Sequence, residues 1–190
     1  MTVLFVRGSS HAAEVARASA VSSLRLAGIM QACFASPMDY VIRQLTPQDE
    51  PVLWEMLRHG LSSLREHEVP SSDLVRRPEV ARYAEGWGRA GDTGFVAHDK
   101  KNGALLGAVW LRETTGKADV SSELALAVRP EHRRHGIGTA LLTQLVRANP
   151  DQSAISISFV AGKPVLRLYE RFGFKVVQEQ PDTIVMRRQA

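Results

Sequence analysis

The sequence predicts an α/β domain, and three observations predict it. Strand-like and helix-like segments follow one another along the chain, six or seven of the first kind and about four of the second. The length, 190 residues, suits one domain with a full-sized core and is too short for two generous ones. The composition, 44% hydrophobic and 23% charged, is that of an ordinary globular chain.

The elements read in order as follows. Tyr40 to Leu45 forms a first strand. Thr46-Pro47-Gln48-Asp49 then opens a helix, because threonine caps, proline fits the first turn and acids suit the positive end of the dipole. Leu53, Trp54, Met56 and Leu57 fall near helical spacing, and Gly60 reads as the stop. Residues 61–77 are polar, contain Pro70 and show no period; a helical run follows from Pro78 to about Trp87. Gly94 to His98 and Ala104 to Leu111 are strands about a Lys101-Asn102-Gly103 turn. Glu123 to Val128 is a further strand. It leads into a helix from Gly136 to about Ala148, with Ile137, Leu141, Leu142, Leu145 and Val146 on one face. Ile155 to Phe159 is a strand, Lys163 to Arg171 a short helix, and Phe174 to Gln178 and Thr183 to Met186 close the chain as strands.

Charge and cysteine content exclude several classes. The net charge is +4, and residues 1–37, with Arg7, Arg17 and Arg25 against Glu14, hold +2 of it. What remains is no nucleic-acid footprint, which needs basic residues clustered on one face. No apolar run approaches the roughly 18 residues of a membrane span, so no membrane partner is expected. Cys33 is the single cysteine, which rules out an intrachain disulfide and points to a reducing, cytoplasmic setting. Nothing in the pattern of histidines, cysteine and acids resembles a metal site, so no metal is expected.

The composition shifts at Ser36-Pro37. Residues 1–37 read as an N-terminal extension, rich in Ala, Ser and Arg, and residues 38–190 as the domain. The extension has the look of an organelle targeting segment. The reading preferred over that one is that these residues lie ahead of a domain start at Met38.

The most informative stretch runs from Glu123 through Val128 and a basic loop to Gly136-Ile137-Gly138-Thr139. The first-turn amides of a helix lack intrahelical partners and carry the positive end of its dipole. Glycines let a ligand approach the backbone, and Arg133, Arg134 and His135 add charge. Such a corner suits a phosphate or pyrophosphate. A dinucleotide fingerprint is excluded because its third glycine position is Leu141, and no Walker lysine follows the glycines.

Arg133-Arg134-His135-Gly136-Ile137-Gly138 resembles the Gln/Arg-x-x-Gly-x-Gly/Ala signature of the GNAT acetyltransferases, and Leu168-Tyr169-Glu170-Arg171-Phe172-Gly173-Phe174 resembles their Leu-Tyr-x-x-x-Gly-Phe motif. The resemblance covers Met38 to about Arg188 and implies a mixed, mostly antiparallel sheet, splayed at the cofactor site and flanked by helices. It implies acetyl-CoA as co-substrate. The backbone of Leu126, Ala127 and Val128 would pair with the pantetheine arm. The amides from Arg134 to Thr139, which include His135, Gly136, Ile137 and Gly138, would receive the pyrophosphate, with Arg133 beside them. Tyr169 takes the position of the family's general acid, and Glu123 that of a general base found in several branches. The sequence departs from the family at Lys163-Pro164-Val165, where many relatives carry Asn-Pro-Ala. Lysine cannot accept a hydrogen bond, so Lys163 would replace the asparagine contact with a charge contact to phosphate.

The function so implied is acetyl transfer from acetyl-CoA to a primary amine by direct attack in a ternary complex. The acceptor is a small molecule or a peptide amine, its specificity set by Arg58 to Arg77 and Glu85 to Thr93, and a homodimer is compatible with this reading. A non-catalytic acetyl-CoA sensor is the alternative.

Overall fold

The computed structural model describes residues 39–62, 73, 75–115, 120–150, 155–159, 163–180 and 183–188, which open with a strand followed by a tightly capped helix. The proposed extension and most of the 63–77 segment lie outside the described residues. Strand β1 is Tyr40–Gln44, and a 3-10 turn at Pro47–Asp49 leads into α1, Glu50–Ser62. The Asp49 carboxylate explains the tight entry. It takes two hydrogen bonds from Arg43, at 2.7 and 2.8 Å, and two from the Thr46 amide and hydroxyl, at 2.7 and 2.8 Å. Threonine therefore works here mainly as a donor to the acid three residues on.

The remaining elements are α2, Pro78–Ala81; β2, Thr93–Asp99; β3, Leu105–Thr115; β4, Val120–Val128; α3, Ile137–Ala148; β5, Ile155–Phe159; α4, Lys163–Glu170; β6, Lys175–Gln180; and β7, Thr183–Arg188. The seven strands form one sheet in the order β1-β2-β3-β4-β5-β7-β6. Every neighbouring pair is antiparallel except β4 with β5, which are joined through α3 and run parallel.

Alternation along the strands divides the core between two faces. Leu124, Leu126 and Val128 of β4 point to the face covered by α3 and α4, where they meet Ile137, Leu141, Leu142, Leu145 and Tyr169. Ala125 and Ala127 point to the other face, with Ala108 and Trp110 of β3, under Leu53, Met56 and Leu57 of α1. The alanines let α1 lie close to the sheet. Each fully buried Leu or Ile of α3 contributes about 1.5–3 kcal/mol, enough to hold a 12-residue helix that has no side-chain cap at its start.

Several boundaries differ from the sequence reading. Helix α1 runs past Gly60 to Ser62. The helix at Pro78 ends at Ala81, and the chain continues as turns through Gly86, whose φ of 64° is left-handed. The β3–β4 hairpin runs on to Thr115 opposite Val120, beyond the apolar stretch that marked it in sequence. At the far edge, β6 carries a bulge at Val177, and Val176 and Val177 are exposed.

The Arg43 bonds hold the Asp49 carboxyl well below its ordinary 3.8. A depressed folded-state pKa contributes stability that is present above about pH 4 and is lost as pH falls further. Asp49→Asn should therefore lower stability by about 1–2 kcal/mol at pH 7. In urea titrations the gap between variant and wild type should narrow at pH 3.

Candidate active site

The sheet opens in its middle. Strand β4 pairs with β3 along its full length, from Val120 to Val128, but with β5 only at Ser122–Ile155 and Glu123–Ser156. Beyond Glu123 the two parallel strands part. The Arg129 amide bonds the Leu106 carbonyl of β3, at 2.9 Å, so alternation turns the backbone groups of Ala127 and Ala125 toward β3. Those of Leu126 and Val128 face the gap, which begins past Leu124. The five steps from Val128 back to Glu123 span about 17 Å, at roughly 3.3 Å per residue.

At the Val128 end of the gap lies the start of α3. A 3-10 turn at Pro130–His132 lifts the chain off β4, and Arg134 and Gly136 both take left-handed backbone, φ 67° and 79°. An arginine in that region is strained and makes the loop a specific conformation. Gly136 is the N-cap and offers no side-chain bond to the first-turn amides of Ile137, Gly138 and Thr139. A Cβ at Gly138 would stand 3.7 Å from Val128 Cγ2, 3.9 Å from Leu126 Cδ2 and 4.0 Å from Leu168 Cδ2. These are ordinary contacts, so packing within the protein does not demand glycine there. What the missing Cβ leaves is space between the end of β4, the first turn of α3 and α4. The residues present thus fit a phosphate group: unpartnered amides, a positive dipole end and an open approach.

Helix α4 brings Tyr169 to the same face. The turn after it explains the Gly-Phe of the motif. Gly173 has φ 84°, and the Phe172 and Phe174 amides both return to the Tyr169 carbonyl, at 2.9 and 3.2 Å. The Phe174 ring then meets the Tyr169 ring edge-on, with centroids 5.7 Å apart. Tyr169 is 1% exposed, and burial pushes its phenol above the ordinary 10.0. It is a hydrogen-bond donor and stays protonated.

Glu123 stands on the opposite face, where β4 and β5 last pair. Its carboxylate accepts the Tyr83 hydroxyl at 2.6 Å and pairs with Arg82 at 2.8 and 3.0 Å. Both partners come from the turns after α2, and Arg112, across from Glu123 on β3, holds those turns in place. Arg112 donates to the carbonyls of Arg82 and Glu85, each at 2.8 Å, to that of Gly86 at 3.2 Å, and to Asp92 at 3.2 Å. Trp110 adds a bond to the Tyr83 carbonyl at 2.9 Å.

Two of the nominated residues sit otherwise than expected. The backbone of Ala127 is turned to Ala108 of β3 and does not reach the gap. Arg133 folds inward, its Nε bonding the Val128 carbonyl at 3.0 Å, with His59 O at 3.5 Å from Nη2. It ties the end of β4 to α1 and uses one of the acceptors on the gap edge. Arg134 and His135 are exposed on the loop, and the Lys163 side chain lies outside the described residues. Arg82 was missed by the sequence reading, and Tyr83 was given no site role because an aromatic at such spacing is more often core; nothing local links either to an acid some forty residues away. A groove of about 750 Å³ lined by Pro47, Trp54, Arg58 and Arg76, among others, includes none of the nominated catalytic or cofactor residues, but Arg58, Val75 and Arg76 belong to the segment expected to set acceptor specificity. Among the described residues no cluster of three or more His, Cys, Asp or Glu is arranged to hold a metal, and no helix is long and apolar enough to cross a membrane.

Comparison with known proteins accords with this geometry. The family model described as acetyltransferase (GNAT) family matches residues 54–174. No curated protein matches the chain. Among solved structures, the PaiA N-acetyltransferase of Thermoplasma acidophilum in complex with coenzyme A is similar with a TM-score of 0.60 at 18% identity, over 80% of this chain and 100% of that one. YncA of Salmonella typhimurium with its cofactor acetyl-CoA gives 0.56 at 17% identity, over 80% and 94% of the two chains. The ribosomal-protein-alanine N-acetyltransferase of Brucella melitensis gives 0.57 at 20%, over 79% and 99%. At these identities the likeness is one of fold.

The Arg112–Asp92 pair is nearly fully buried, with side chains 5% and 4% exposed. Arg112→Met should leave Asp92 as an uncompensated buried charge and cost about 3–5 kcal/mol in chemical denaturation, and Arg112→Met/Asp92→Asn should recover part of it.

Proposed function

This chain belongs to the acetyltransferase (GNAT) family, and we propose that it transfers the acetyl group of acetyl-CoA to the primary amine of an acceptor. The observation that carries this reading is the alignment of the unpaired β4 edge with the uncapped start of α3. The Leu126 groups and the Val128 amide would bond the pantetheine arm as a further strand would. The amides of Ile137, Gly138 and Thr139 would hold the pyrophosphate, with Arg134 and His135 supplying charge at the rim. Two neighbours in fold hold coenzyme A or acetyl-CoA, which supports the same ligand here. Lys163, first residue of α4, is proposed to meet a phosphate.

Bound in that way, acetyl-CoA supplies a thioester whose acetyl carbon accepts the amine and whose sulfur departs. Glu123, where the gap begins, takes the proton that the ammonium must lose before attack. Tyr83 holds that carboxylate through one oxygen while the other works. Tyr169 faces the departing sulfur from the other side of the sheet. Burial keeps the Tyr169 phenol protonated, so it is a donor for the departing thiolate, as a general acid or through a hydrogen bond.

Two variants test this. A Cβ fits at position 138, so Gly138→Asp should fold normally while its carboxylate abolishes acetyl-CoA binding by calorimetry. Tyr169→Phe should keep acetyl-CoA affinity and lower thiol release by on the order of 10- to 100-fold, the worth of a hydrogen bond to a charged group. Unaltered turnover removes Tyr169 from the mechanism. A thiol-release assay across a panel of amines tests the activity itself; binding without release from any amine would favour the sensor.

A further inference from the structure

We propose that Arg82 selects acceptors that carry a carboxylate beside the amine, an inference that rests on the acetyl-transfer reading. The charge arrangement around Glu123 is the starting point. Both of its oxygens are within 3.0 Å of Arg82 Nη2, and one also accepts the Tyr83 hydroxyl. A bare ammonium moving toward this carboxylate meets a guanidinium already there, and like charges at that range repel. A zwitterionic acceptor meets no such conflict. Its carboxylate takes the guanidinium, its ammonium takes Glu123, and one ion pair is exchanged for two.

The geometry suits that exchange. Arg82 and Glu123 are 39% and 22% exposed, so their pair is weak and replaceable, unlike the buried Arg112–Asp92 pair beneath it. An α-amino acid presents opposite charges separated by a single carbon, which matches a cation and an anion lying side by side. The backbone under Arg82 stays fixed, because Arg112 bonds the Arg82 carbonyl and Trp110 the Tyr83 carbonyl. Only the side chain needs to turn. The Arg82 guanidinium lies 5.2 Å from the centre of the Tyr83 ring, a surface over which it can swing while keeping a favourable contact. Tyr83, 4% exposed, continues to hold Glu123 when Arg82 leaves it, and is a positioning residue. A planar fork that binds carboxylates through two parallel bonds is also the better group for this task than lysine.

The test compares three forms of the same amine: α-amino acids, their amides, and the corresponding amines without the carboxyl group. Thiol release with acetyl-CoA should give wild-type kcat/KM values favouring the amino acids by on the order of 100-fold. Arg82→Met should collapse that ratio, mainly through KM, and Arg82→Lys should restore part of it. Arg82→Gln serves should the methionine variant not fold. Calorimetry of an amino acid against protein saturated with coenzyme A should show binding to wild type and a loss in Arg82→Met, independent of turnover. Equal use of amino acids and their amides by the wild type, or an unchanged preference in both Arg82 variants, overturns the proposal while leaving acetyl transfer standing. Acetyl-CoA binding without thiol release from any amine overturns both.

Discussion

The parting of β4 from β5 after a single pair of adjacent contacts is the constraint from which the rest of the molecule follows. A strand in the middle of a sheet ordinarily spends its amides and carbonyls on both neighbours, because unpaired polar backbone inside a protein is costly. Here Ala125 and Ala127 turn their groups to β3, while those of Leu126 and Val128 face the side from which β5 has parted, where Arg133 takes the Val128 carbonyl. The opening is held by bulk on one face, where α3 and α4 pack Leu141, Leu145 and Tyr169 against β4. On the other face it is held by α1 and the turns after α2. Chemistry can then approach one line of backbone from two directions, with a phenol on one side and a carboxylate on the other.

A buried guanidinium organises the second of those directions. Arg112 costs desolvation, which its bonds to Asp92 and to three carbonyls offset. Its benefit is conformational. The turns between Ala81 and Asp92 lack regular secondary structure, so their carbonyls need donors, and Arg112 gathers three of them while Asp92 gathers the Gly88 and Arg89 amides at 2.9 and 3.0 Å. The result is an irregular segment with a defined shape, which presents Arg82 and Tyr83 to Glu123.

Legibility followed the range of the interaction. The order of strands and helices, the glycine loop and the Gly173-Phe174 turn are local, and their residue types carry their backbone demands with them. The seven strands and the opening at β4 were readable on that account, the latter through a family signature. Boundaries set by distant partners were not. The helix at Pro78 looked longer because Ala84, Glu85 and Trp87 continue its spacing, yet their carbonyls and rings are drawn off by Arg112 and the core. Arg133 looked like a phosphate ligand by its place in the motif, and its inward turn to Val128 depends on where β4 ends. The orientation of Ala127 is a matter of register, which alternation alone cannot assign before the partner strand is known. Arg82 gave no signal in the sequence, and Tyr83 only that of an aromatic, which is more often core than site.

The bulge at Val177 bears on how the sheet ends. Strand β6 ends the sheet, and two exposed valines there would ordinarily offer an incoming chain a flat, sticky template. One extra residue between Val176 and Gln178 spoils the hydrogen-bond spacing along that rim and adds local twist, so a straight strand cannot zip onto it past the kink. The valines are thereby left as isolated greasy spots on a crooked border, a safeguard against fibre-like stacking that sits at the opposite end of the sheet order from β1.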